Sequence, residues 1–68
     1  MITKKKLESK VDYLNEITGR KFIVVHSSYG YTLSEEINDH RRDVENDAMS
    51  SSEMYAYLRG ILAGLKLN

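Results

Sequence analysis

The chain has no cysteine, no proline and no tryptophan, and only four glycines and one phenylalanine among its 68 residues. Without cysteine there is no disulfide framework and no thiolate, either as nucleophile or as metal ligand. The two histidines, His26 and His40, fall short of the four Cys or His ligands of a structural zinc site. Without proline or a glycine-rich stretch there is no linker, and residues 1–68 read as one unit. No apolar run approaches the roughly 20 residues of a membrane span. The opening Met-Ile-Thr-Lys4-Lys5-Lys6 lacks the apolar core of a signal peptide. These absences predict a cytoplasmic protein with no membrane, metal or cofactor.

Charge of one sign is also missing in total, with ten basic and ten acidic side chains. A neutral sum argues against strong non-specific nucleic-acid binding, which phosphate neutralisation drives. The charges are nevertheless segregated. Residues 1–21 carry six basic and three acidic groups, and residues 22–53 carry two basic and seven acidic. The middle of the chain therefore offers an acidic face to a partner or to another copy. A domain this small buries only about 60% of its unfolded surface, so oligomerisation is a natural supplement and a homodimer is expected.

Apolar residues recur helically in two places. Leu7, Val11, Leu14 and Ile17 lie on one helix face, predicting a helix over 3–18 with Thr3 as N-cap and Gly19 as C′ residue. Ser50-x-x-Glu53 has the form of a capping box. After it, Met54, Tyr57, Leu58, Ile61, Leu62 and Leu65 make a broad apolar stripe. Ala56, Gly60, Ala63 and Gly64 make a neighbouring stripe of small residues. Each interior glycine costs about 1 kcal/mol against alanine, and close approach of another helix, helix 1 or a second subunit, would offset that cost.

Between the helices the pattern changes. Lys21–Ser27 is rich in β-branched and aromatic residues and reads as a strand. Ser28-Tyr29-Gly30 reads as a hairpin turn and residues 31–35 as the returning strand, with Tyr31, Leu33 and Glu35 on one face. Asn38-Asp39-His40 suggests a further turn. Residues 41–45 form either an edge strand or an ordered loop, and the strand is favoured because a lone hairpin is marginal. The predicted fold class is α+β: helix, hairpin with a third edge strand, helix, both helices on one face of the sheet.

No catalytic set emerges. His26 and Ser27 are neighbours on a strand and point to opposite faces, and no carboxylate is placed to orient His26. His40-Arg41-Arg42-Asp43 resembles a kinase His-Arg-Asp only superficially, in a chain far too short for a kinase. Asp39, His40 and Asp43 read as a solvated loop rather than a metal site. Among the tyrosines, Tyr31 and Tyr57 read as core edge and Tyr29, at the turn, as an exposed anchor for a protein partner. The candidate partner-binding residues are therefore Tyr29, Glu35, Glu36, Asp39 and Asp43. An alternative is a nucleic-acid accessory role for Lys4, Lys5, Lys6, Lys10, Arg20 and Lys21. A third is a structural homodimer.

Leu14-Asn15-x-x-Thr18-Gly19, Gly30-Tyr31-x-Leu33 and Met49-Ser50-x-x-Glu53-Met54-Tyr55-x-Tyr57-Leu58-x-Gly60-Ile61-x-x-Gly64 together resemble small proteins of tailed bacteriophages and prophages of Gram-positive hosts. That group carries a Gly-Gly-Tyr-x-Leu form of the hairpin motif, and here Tyr29 stands at the first glycine. The resemblance implies no catalytic residue. It implies a phage early-region setting in a bacterial cytoplasm, where small acidic-faced proteins bind host enzymes or defence components.

Overall fold

A computed structural model describes residues 2–66, with side chains through Leu65. Its elements are α1 (Lys4–Thr18), β1 (Phe22–Ser27), β2 (Gly30–Ile37), β3 (His40–Met49) and α2 (Ser51–Lys66). The strands form one antiparallel meander in the order β1-β2-β3. Residues 41–45 are thus a strand, and a longer one than expected, extending from His40 to Met49.

Local chemistry sets the helix ends. The Thr3 hydroxyl accepts the Lys6 amide at 3.2 Å, and Gly19, at φ +70°, donates its amide to the Asn15 carbonyl at 2.9 Å. At α2 the capping box is closed in both directions. The Glu53 amide donates to Ser50 Oγ at 3.2 Å, and the Ser50 amide donates to Glu53 Oε1 at 3.0 Å. The Ser50 backbone amide first, and the Ser50 hydroxyl second, favour the ionised carboxylate and hold the Glu53 pKa below its ordinary value.

The turns are as local as the caps. Ser28 and Tyr29 link β1 to β2, with Ser27 opposite Gly30. Asn38 and Asp39 link β2 to β3, both at positive φ (48° and 68°), as a two-residue I′ hairpin turn requires.

The core lies between the helices and one sheet face. Leu7, Val11 and Leu14 of α1, Leu33 of β2, and Met54, Leu58 and Leu62 of α2 are buried in one cluster. Phe22, Val24, Tyr31 and Val44 close it from the sheet side. Val44 follows Arg42 onto this face by alternation. Beside it the ladder is irregular, since Ser34 pairs with Asp43 while Leu33 pairs with Glu45, so β3 carries an extra residue there.

Three expectations change. Ile17 continues the apolar spacing of α1 but remains 46% exposed, because the last turn of α1 runs past the buried cluster. Glu35, expected on the surface, is 4% exposed. It shares the covered face with Leu33, and strand alternation carries it inward. The two glycines of the small-residue stripe are not pressed against helix 1, although Ala63 lines a cleft with Lys10 and Tyr13. A Cβ at Gly60 or Gly64 would find nothing within 4 Å among the described residues, and Ala56 and Ala63 are exposed. The α1–α2 contact runs along the larger apolar residues instead.

Candidate functional site

The five candidate partner-binding residues do not form one patch. Tyr29 sits at the β1–β2 turn and Asp39 at the β2–β3 turn. These turns lie at opposite ends of the eight-residue β2, more than about 20 Å apart at a strand rise of ~3.4 Å per residue.

At the far end, the acidic residues are met by bases of the same chain. Glu35 Oε2 lies 3.6 Å from Arg20 Nη1 and its Oε1 3.4 Å from Arg42 Nη2. Arg42 stands directly across the ladder from Glu35, and Arg20 reaches it from the loop after α1. The carboxylate is enclosed while both guanidinium groups remain largely in solvent, so Glu35 serves the interior. Glu36 and Asp39 are exposed, but they line a shallow depression of about 430 Å³ together with Arg20 and Lys21. Asp43 accepts the hydroxyl of Ser34, itself 3% exposed, at 3.3 Å on the sheet face opposite the helices. The acidic segment is therefore a surface of mixed charge.

At the near end the geometry is more specific. Tyr29 is 87% exposed. Its turn is held from within: the Tyr29 amide donates to Ser27 Oγ at 3.3 Å, and the Ser27 hydroxyl donates to the Gly30 carbonyl at 3.4 Å. Gly30 has φ +131°, and a Cβ there would lie 2.7 Å from the Met49 carbonyl oxygen. Behind the turn, the rings of His26 and Tyr31 stack with centroids 4.3 Å apart and planes 9° from parallel. They are cross-strand partners, so the stack joins the tip to Tyr31, which packs on the core. Tyr29 thus projects from a braced platform.

No protein-family model, curated protein or solved structure matches this chain.

The basic candidates also divide. Lys5, Lys6 and Lys10 line a cleft of about 460 Å³ with Tyr13 and Tyr55. Lys10 Nζ stands 5.1 Å from the Tyr55 ring centroid, within cation–π range. Arg20 and Lys21 lie beyond the other end of the 15-residue α1, about 15 Å from Lys10 along its axis. Tyr13 is a cleft residue that sequence reasoning passed over, and its place on a basic helix face was the available signal. The His26–Tyr31 stack was not legible: a turn over Ser28-Tyr29-Gly30 would set Ser27 opposite Tyr31, and the two-residue turn found at 28–29 shifts the register so that His26 faces Tyr31.

Among the described residues, no group of three or more His, Asp or Glu side chains is placed to hold a metal ion. No described helix is long and apolar enough to cross a membrane. Ser27, weighed above as a nucleophile, has its hydroxyl engaged by the turn backbone.

Proposed function

We propose that this chain is a non-enzymatic accessory protein of a phage or prophage that acts by binding another protein, a host enzyme or defence component, through the β1–β2 tip. The observation that supports this reading is Tyr29: a large aromatic, 87% exposed, on a turn braced by Ser27, Gly30 and the His26–Tyr31 stack. A turn whose backbone is held before contact loses little backbone freedom on binding, which favours the aromatic it carries as an interface anchor. The phage setting rests on the motif resemblance alone.

The test is affinity capture from host lysate with the intact chain and with Tyr29→Ala in parallel. A partner retained by the first and lost by the second supports the reading. A partner retained equally by both removes the tip from recognition, and recovery of nothing above background counts against protein binding.

A second reading takes its support from the Lys5, Lys6, Lys10, Tyr13 and Tyr55 cleft, where cations and aromatic faces adjoin as they do in single-strand binders. A salt-dependent gel shift weakened by Lys10→Ala would favour it. No shift at low salt would dismiss it.

A further inference from the structure

The two edges of the sheet differ. β3 carries Arg41, Arg42, Asp43, Glu45 and Asp47 and has register shifts against β2. Charge and bulges of this kind block pairing with another strand. β1, Phe22–Ser27, has no Lys, Arg, Asp or Glu, and its register with β2 is unbroken.

Backbone alternation identifies which groups of β1 face outward. The Lys21 carbonyl accepts the Glu36 amide at 2.9 Å, so Lys21 and Glu36 are a hydrogen-bonded pair. In an antiparallel ladder such pairs alternate. Ile23, Val25 and Ser27 therefore bond to β2, and Phe22, Val24 and His26 direct their backbone groups to the free edge. Phe22 is already satisfied there: Asn15 Nδ2 donates to its carbonyl at 3.1 Å, and its amide donates to Asn15 Oδ1 at 2.7 Å. Val24 and His26 are left. An open groove of about 410 Å³ runs beside Val24, between Phe22–Val24 and the α1 residues Lys5, Glu8 and Asp12.

We propose that this edge pairs antiparallel with the β1 edge of a second copy of the chain, about a two-fold axis at Val25. Val24 of each copy then pairs with His26 of the other, and four new hydrogen bonds use only the free groups. The neighbouring symmetric registers are excluded. Centring on Val24 needs the Phe22 groups that Asn15 holds, and centring on His26 needs the turn at Ser28.

Asn15 lies beside Phe22 and α1 runs back along β1, so a strand advance of about 10 Å to Val25 corresponds to about 7 helical residues, near Glu8. The two-fold then sets Lys5 of one copy toward Asp12 of the other, twice, and brings the two Glu8 residues nearest the axis, so the backbone pairing and not charge fixes the register. The Val25 side chains meet across a non-hydrogen-bonded pair, where side chains approach most closely, on the uncovered face of a six-stranded sheet.

Sedimentation of the wild-type chain over a range of concentrations should show a monomer–dimer equilibrium. Val25→Lys and Val25→Glu should each be monomeric with unchanged circular dichroism, because like charges meet at the axis. Mixing the two variants should restore the dimer as a heterodimer. Hydrogen exchange on the wild-type chain requires no variant: the Val24 and His26 amides should slow as concentration rises, while the Asn15-held Phe22 amide stays slow throughout. A wild-type chain that remains monomeric, a dimer whose Val24 and His26 amides exchange as in the monomer, or folded single variants that stay dimeric would overturn the proposal. This surface is separate from Tyr29, so Tyr29→Ala should leave the dimer intact.

Discussion

The side chain of Asn15 binds Phe22 as a strand would, accepting from its amide at 2.7 Å and donating to its carbonyl at 3.1 Å. One residue of α1 thereby completes the first rung of an edge strand and sets how the helix lies along the sheet. Replacing it with alanine strips both partners from a half-buried residue. Asn15→Ala should cost about 1–3 kcal/mol of unfolding free energy, read by urea denaturation. Asn15→Asp keeps the acceptor and loses the donor, and should fall between. A loss within error would mean that water replaces the amide without penalty.

Gly30 and Gly60 should respond in opposite directions to the same substitution. Gly30→Ala places a Cβ 2.7 Å from the Met49 carbonyl oxygen at φ +131°. Backbone must move to admit it, and the variant should lose about 2 kcal/mol or more.

At Gly60 the added methyl meets nothing within 4 Å, and the backbone is helical. Gly60→Ala should therefore stabilise the chain by about 1 kcal/mol, seen as a higher melting temperature. A destabilised Gly60→Ala would show that a second copy covers this face of α2, in place of the β1 edge.

Glu53 makes the capping box dependent on pH. Its pKa is lowered in the folded chain, so its contribution is complete above the ordinary glutamate value of about 4.3. It fades as pH falls through the lower folded value. Wild type should be more stable than Glu53→Ala at neutral pH, and the gap should narrow with acidification below pH ~4. A gap that stays constant into strong acid would show that the carboxylate charge contributes nothing to the cap.

Glu35 and Glu36 are adjacent in sequence and opposite in environment. Glu35→Gln removes the charge that Arg20 and Arg42 approach at 3.6 and 3.4 Å, and should cost about 1–3 kcal/mol. Exposed Glu36→Gln should change stability by less than about 0.5 kcal/mol. Equal effects would refute the distinction between an interior and a surface carboxylate.

What the sequence determined by itself is what neighbours in the chain decide. Thr3, Gly19 and the Ser50–Glu53 box act within four residues of the backbone they cap. The Asn38-Asp39 turn follows from tolerance of positive φ, and the Leu7–Val11–Leu14 and Met54–Leu58–Leu62 faces follow from helical period. Tyr29 at a turn was legible on the same grounds. Only the tertiary structure decided which of these surfaces remain open. Period alone carries Ile17 and Gly60 toward a burial that neither reaches within the described chain, because period does not say where a neighbouring element stops. Glu35 looked like surface by its charge, yet its alternation with Leu33 places it inside, where Arg20 and Arg42 arrive from two other segments. The mixed charge around Glu36 and Asp39, the Asn15–Phe22 rung and the open edge at Val24 and His26 depend in the same way on residues distant in sequence. Such contacts form only when the helices and the sheet share one core, and that packing left the braced hairpin tip and the β1 edge as the surfaces to test.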